Sequence, residues 1–255
     1  MPELPEVETV VRELSDEICG DSISSVEIFR SNPIVQGDLE AFQQQLSGRT
    51  FKHVTRRAKY LIFHLQPSGY MVAHMRMTGK FIVCDPLDVP SKYNRVWFNL
   101  CSGRLMIFDD VRCFGTLEVY EKLSDSKALS KLGIEPFSED LNVNYFKSKV
   151  ASSKRGVKSI LLDQQIIAGL GNIYVSEILF RAKISPLRSA ETIRSKEWSQ
   201  IIKCTQSVLE EAIENNGTTI SDFRRVDDKS GTFQQFLKVY DKKEQPCPDL
   251  SLIHI

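Results

Sequence analysis

The hydrophobic period of this chain changes partway along it, and that change limits the folds available more than any other feature. From Ser22 to about Tyr120 the apolar residues fall in short β-type runs: Ser25–Arg30, Tyr60–Leu65, Tyr70–His74, Phe81–Cys84, Val96–Cys101, Arg104–Phe108 and Thr116–Tyr120. Turn signals such as Pro67-Ser68-Gly69 and Ser102-Gly103 separate them. Strands this short and this numerous predict a β-sandwich or barrel. After Asp140 the spacing becomes helical, with helices expected at Asp140–Val150, Gly156–Leu162, Asn172–Arg181 and Ser195–Asn216. Ahead of the β region, Leu4, Val7, Val11, Leu14 and Ile18 line one face of an amphipathic helix, whose first turn tolerates Pro2 and Pro5. The polar stretch from Ser124 to Asp140 reads as a linker, and Phe233–Tyr240 as part of a hairpin. The expected class is therefore α+β, an N-terminal helix and β-sandwich or barrel followed by a helical domain.

Charge narrows the choice of partner through its distribution and not its sum. Lys+Arg and Asp+Glu both total 33 in the 255 residues. Yet the first forty residues hold ten acids against two bases, leaving a net +8 for the remainder. Arg49–Tyr60 and Lys147–Lys158 each carry five bases and no acid, which suits either a solvated face or a polyanion. No apolar run reaches the roughly 18–20 residues of a membrane helix. The glutamates of the opening decapeptide stand where an export signal would carry Lys or Arg. The cysteines at 19, 84, 101, 113, 204 and 247 show no C-x₂-C pair or regular spacing, and most are expected to be buried and reduced.

The chemistry begins at Met1-Pro2-Glu3. A small residue after the initiator permits methionine removal, which would leave proline as the N-terminus. Its secondary amine, with a pKa of about 8, is partly unprotonated near neutrality and able to attack a sugar C1′. Glu3 and Glu6 stand where they could move protons beside it. Proline and glutamate are equally at home in an ordinary first helical turn, so the dipeptide alone leaves both readings open.

Five motifs in one order decide between them. Pro2-Glu3-Leu4-Pro5-Glu6-Val7-Glu8-Thr9 closely resembles the opening of bacterial formamidopyrimidine-DNA glycosylases. Arg56-Arg57-Ala58-Lys59-Tyr60-Leu61 resembles the family's strand bearing a catalytic lysine, and His74-Met75-Arg76-Met77-Thr78-Gly79 its His-x-x-Met-x-Gly loop. Asp110-Val111-Arg112-Cys113-Phe114-Gly115 is similar to its Asp-x-Arg-x-Phe-Gly loop. Leu162-Asp163-Gln164 through Gly169-Leu170-Gly171-Asn172-Ile173-Tyr174 and Glu177 resembles its helix–two-turn–helix.

The resemblance implies a base-excision repair enzyme, a bifunctional glycosylase and AP lyase acting on oxidised purines such as 8-oxoguanine and formamidopyrimidine. Pro2, Glu3, Glu6 and Lys59 would be its catalytic residues. His74, Met77, Arg112, Phe114, Lys154, Asn172, Glu177 and Tyr240 would bind DNA. Within that set Met77, Arg112 and Phe114 would fill the gap left by an everted base, and His74 and Asn172, with Lys59, would grip phosphates. Glu177 matches an acid supporting the nucleophile region. The implied domains are a catalytic sandwich at 1–128, a linker at 129–140, a helix–two-turn–helix domain at 141–226, and a lesion loop with an incomplete zinc-finger hairpin at 227–255. The partner would be damaged double-stranded DNA, engaged by a monomer in the bacterial cytoplasm at the nucleoid, with no membrane involved.

One departure stands out. An intact family member carries Zn²⁺ on C-x₂-C…C-x₂-C in its terminal hairpin, together with an arginine used in DNA gripping. Here Cys247 is the remaining candidate ligand, and one cysteine cannot hold a tetrahedral zinc. The hairpin reads as truncated and no cofactor as bindable. Two alternatives follow, a damaged-DNA-binding protein with little or no catalysis and an oxidised-pyrimidine glycosylase of the endonuclease VIII branch.

Overall fold

The computed structural model describes residues 1–29, 34–89, 92–151, 153–218 and 232–249. They divide into two compact units, residues up to 130 with 216–218 and 232, and 131–215 with 233–249.

The first unit opens with helix α1 (Leu4–Ile18), where the apolar stripe Leu4, Val7, Val11, Leu14 and Ile18 is buried. Side chains of that kind contribute roughly 1.5–3 kcal/mol each when fully buried. Strand β1 (Ile23–Ile28) and helix α2 (Leu39–Leu46) follow, then β2 (Thr50–Arg57), β3 (Tyr60–Gln66), β4 (Tyr70–His74), β5 (Gly79–Cys84), β6 (Asn94–Leu100), β7 (Leu105–Asp110) and β8 (Thr116–Tyr120). Among the described residues these strands make two four-stranded antiparallel sheets, ordered β1-β6-β7-β5 and β2-β3-β4-β8. A chain of tilted rings joins them through the core. Phe51 meets Phe63 at 5.8 Å, Phe63 meets Phe81 at 5.2 Å, and Phe81 meets Phe108 at 5.0 Å. This is the sandwich expected from the β-type runs.

Three features differ from the sequence expectation. The basic run after Arg49 is mostly strand β2; a register shift between Phe51 and His53 breaks its alternation and hides the period of two. Helix α2 has a side-chain N-cap, with Asp38 accepting from the Ala41 amide at 2.7 Å, and buries Phe42 and Leu46 four residues apart. Of the cysteines only Cys113 and Cys204 are buried; Cys19 and Cys101 are exposed at the end of α1 and in the turn after β6, and all six are free.

The second unit is helical. Residues Lys127–Ser130, at the end of the first unit, form a single turn, α3. The rest of the expected linker is built into the second unit, where Gly133 donates to the Gln164 carbonyl at 2.8 Å and Ile134 bridges to Ile167. Helices α4 (Val143–Val150), α5 (Val157–Leu161), α6 (Asn172–Ala182) and α7 (Ser195–Glu214) pack about Trp198, which stacks on Phe146 at 4.4 Å and 8°. The strand character expected of Phe233–Tyr240 is absent. Phe233–Phe236 form a 3₁₀ turn with Phe233 buried against Tyr174, and the amides of Lys238, Val239 and Tyr240 are taken by a carboxylate of α6 rather than by a neighbouring strand. No helix among the described residues is long and apolar enough to cross a membrane.

Candidate active site and nucleic-acid interface

In the first unit the N-terminus is closed by a reciprocal cap. The Glu3 amide donates to Glu6 Oε2 at 2.8 Å, and the Glu3 carboxylate accepts from the Glu6 amide. Glu6 Oε1 accepts from the Thr218 amide at 2.7 Å. Pro2, Glu3 and Glu6 are all buried, while Met1 is half-exposed above them. Lys59 is 5% exposed. Burial lowers its pKa from the ordinary lysine value, and the Glu3 and Glu6 carboxylates resist that shift. The structure thus gathers two carboxylates and a buried amine at the start of the chain.

Lys59 lies not in a strand, as its motif suggested, but in the two-residue turn between β2 and β3, where Arg57 pairs with Tyr60. Ala58 beside it has φ +53°, a conformation that costs a side-chain-bearing residue energy. Arg56 bridges this turn to α1, donating to the Ala58 carbonyl at 3.2 Å and to Glu8 at 3.1 Å.

His74, at the end of β4, is 5% exposed with its ring edge-on to Tyr60. Its Nδ1 accepts from the Arg76 amide at 2.9 Å, so the neutral ring carries its proton on Nε2. Burial first, then the charges of Arg76 and Lys59, drop its pKa to about 3. Any grip on a phosphate would come from a neutral N–H donor and not from a cation. The sign for stability follows. The unfolded histidine ionises near 6.5, so His74 favours the fold above that pH and loses this contribution as pH falls towards about 3. His74→Gln is expected to flatten the acid limb of a stability profile between these values, read by urea denaturation at stepped pH.

Met77 and Phe114 are 40% and 48% exposed, unusual for large apolar side chains. Arg112 links them, with its Nη1 3.2 Å from Met77 Sδ and its guanidinium 4.7 Å over the Phe114 ring. Two loops therefore present one cluster. Asp110, fully buried and given no role of its own by the sequence motif it opens, ties them together. Its Oδ1 accepts from the Thr78 hydroxyl and from the Arg112 amide at 3.1 Å, and its Oδ2 from the Gly115 amide at 2.8 Å. A side chain at Gly115 would stand 2.5 Å from the Phe108 ring, so this approach requires glycine. The available signal was its place at the head of the Asp-x-Arg-x-Phe-Gly loop, at the end of β7. Asp110→Asn puts an amide N–H₂ where an N–H donor points. It is expected to cost about 2–3 kcal/mol, as for a hydrogen bond to a charged group, read as a lowered denaturation midpoint.

In the second unit Asn172 is exposed and opens α6 after Gly171. The Gln164 amide staples the preceding turns, donating to the carbonyls of Leu162 and Leu170 at 2.9 and 2.8 Å while accepting from Gly169 at 2.9 Å. Lys154 is exposed, whereas Arg155 is paired with Asp163 at 2.8 Å. Glu177 is buried, with its carboxylate accepting from the amides of Lys238, Val239 and Tyr240, each at 2.9 Å. It organises the segment carrying Tyr240 and is not a group offered to DNA. Cys247 is half-buried, and among the described residues no group of three or more His, Cys, Asp or Glu could hold a metal.

Residues 1–117 match the model of the formamidopyrimidine-DNA glycosylase N-terminal domain, and residues 132–224 that of the H2TH domain. Fold and matches together define a helix–two-turn–helix protein with an N-terminal glycosylase sandwich. The formamidopyrimidine-DNA glycosylase of Streptococcus pneumoniae is 41% identical over 249 residues, which span 97% of this chain and 90% of the relative. Among solved structures, a Lactococcus lactis Fpg variant with Fapy-dG containing DNA matches with TM-score 0.91 and 33% identity, over 99% of this chain and 93% of the other. The wild-type Lactococcus lactis protein with oxidised-pyrimidine containing DNA matches with TM-score 0.90 and 33% identity, over 99% and 92%. The chain belongs to the formamidopyrimidine-DNA glycosylase family.

Proposed function

We propose that this chain excises oxidised purines from duplex DNA and then cuts the abasic strand, with Pro2 as nucleophile. The observation that carries the reading is the buried constellation of Pro2, Glu3, Glu6 and Lys59 at the head of α1. With Met1 removed, the Pro2 nitrogen attacks C1′ of an everted nucleotide. The C1′–N bond breaks, and the base leaves with a proton. O4′ then takes a proton and leaves C1′ as a hydroxyl, which gives an iminium between Pro2 and C1′. Removal of a C2′ proton then expels the 3′ phosphate by β-elimination, and water releases the sugar fragment. Lys59, with its ammonium disfavoured by burial, is suited to giving and taking protons in this sequence. Met77, Arg112 and Phe114 would occupy the space vacated by the base. Asn172 and Lys154 would contact backbone phosphate. Damaged DNA is the partner, and the bacterial cytoplasm the location, as the bacterial relatives suggest.

Incubation with duplexes carrying 8-oxoguanine, formamidopyrimidine or an oxidised pyrimidine tests the proposal. Release of the oxidised purine with strand nicking is expected. Lesion binding without nicking would leave a damage-binding protein instead. Faster excision of the pyrimidine would move the chain to the other branch, a panel motivated by the pyrimidine-lesion complex of the Lactococcus lactis relative.

A further inference from the structure

Strand β2 carries His53 and strand β3 carries His64, directly opposite each other in the antiparallel register. Their neighbours Val54 and Phe63 pair inward into the sandwich core, so both histidines stand on the sheet's other face, each half-buried. The rings are stacked, with centroids 3.9 Å apart and planes inclined by 28°. Thr55 Oγ1 lies 2.8 Å from His64 Nε2, and the edge of Tyr70 packs at 5.1 Å on His64. None of these side chains has a part in the lesion chemistry above.

We propose that His53 and His64 form a two-imidazole site for a divalent transition-metal cation such as Ni²⁺, Cu²⁺ or Zn²⁺. Two nitrogens each about 2.0–2.1 Å from a tetrahedral metal lie about 3.3 Å apart. The stacked rings do not aim both lone pairs at one point, so His53 must turn out of the stack about its side-chain bonds to meet a metal in the plane of the His64 ring, a movement available to directly opposed cross-strand side chains. Thr55 supplies what a metal-binding histidine ordinarily has, a partner for the other ring nitrogen. With His64 Nε2–H donating to the Thr55 hydroxyl, the Nδ1 lone pair is left for the metal. Tyr70 limits the ring's swing. Imidazole pairs select borderline cations over Mg²⁺ and Ca²⁺, which require oxygen ligands. Among the described residues no third His, Cys, Asp or Glu completes the set, so water or a small anion would fill the other positions. Lys52, exposed next to His53, is the nearby charge opposing the cation.

The test is calorimetric titration of Ni²⁺ into the full chain under a non-thiol reductant. One site is expected, weakened at least tenfold in His53→Gln and in His64→Gln, and about tenfold in Thr55→Val, the usual scale for losing such a supporting group. Cys247→Ser should bind as the parent does, separating imidazole from thiolate ligation. Should a histidine variant fail to fold, Ni²⁺ added to the unaltered chain should broaden the His53 and His64 ring resonances before those of His74. Undiminished affinity in both folded histidine variants, or ring signals that stay sharp at saturating Ni²⁺, would overturn the site.

Discussion

Borohydride should trap this chain on an abasic-site duplex only when Met1 has been removed. A preparation with Met1 left in place should yield no covalent adduct while binding the duplex with unchanged affinity. The reason lies in the nitrogen. While Met1 is attached, the Pro2 nitrogen is a tertiary amide whose lone pair is delocalised into the Met1 carbonyl, and it has neither the basicity nor the hydrogen to behave as an amine. Once freed, it is a secondary amine that becomes a permanently charged iminium on losing its single N–H proton, the species borohydride reduces. Pro2 is buried while Met1 is attached. Met1 is half-exposed, so its departure opens the Pro2 nitrogen to solvent, whereas Lys59 stays buried. Pro2→Gly keeps a terminal amine but loses the ring that fixes its direction against Glu3, and trapping should drop to background there too. Mass spectrometry of each preparation establishes the occupancy of Met1, and the trapped fraction should follow the des-methionine fraction linearly. An adduct of equal yield with Met1 present would place the nucleophile elsewhere, Lys59 being the nearest amine to examine.

What the sequence discloses and what it hides divide along a physical line. Side chains whose work depends on chemical identity were visible: a proline after the initiator, a lysine in a basic run, and Met77 and Phe114 on polar loops where bulky apolar groups are out of place. So was the sandwich, because alternation along a half-buried strand reports the pleat directly. Roles set by hydrogen bonds between distant parts of the chain were not visible. Glu177 was marked by its motif, but as a group near DNA or the nucleophile, and its actual work shows only in the amides of Lys238, Val239 and Tyr240 that converge on it. Asp110 opens a motif in sequence, but its three-way bonding, which says what it does there, is not readable from it. His74 could have been a cation or a neutral donor, and the choice rests on burial and on the Arg76 amide. Strand β2 was masked by its own bulge, and Phe233–Tyr240 suggested a strand because aromatic composition does not report where backbone amides are satisfied.

Glu6 shows the same division with the largest consequence for stability. Its sequence position suggests a proton carrier beside the nucleophile, but both carboxylate oxygens are committed, Oε2 to the Glu3 amide and Oε1 to the Thr218 amide. The clamp is tight on the far side as well. Gly217 has φ +72°, and a side chain there would come within 2.9 Å of Glu6 Oε1. Glu6 therefore holds the beginning of the chain to residues 216–218, within one unit, and its charge faces buried Lys59. Glu6→Gln keeps the size but offers one acceptor where two donors point, and it removes one of the two charges supporting Lys59. A loss of about 2–3 kcal/mol is expected, the scale of one buried donor left unpaired. Glu6→Ala strands both amides and should cost about 3–5 kcal/mol, as when one partner of a buried charged group is removed. Urea denaturation reads the cost, and amide exchange at Thr218 locates it, since that N–H should lose its protection in both variants. A proton carrier without the clamp would behave otherwise. Glu6→Gln would then slow base release at unchanged stability, with Thr218 as protected as in the parent. If the clamp is the main role, trapping by Glu6→Gln should recover in part at low temperature, where the weakened contact to residues 216–218 is still populated, and a lost proton carrier would give no such recovery.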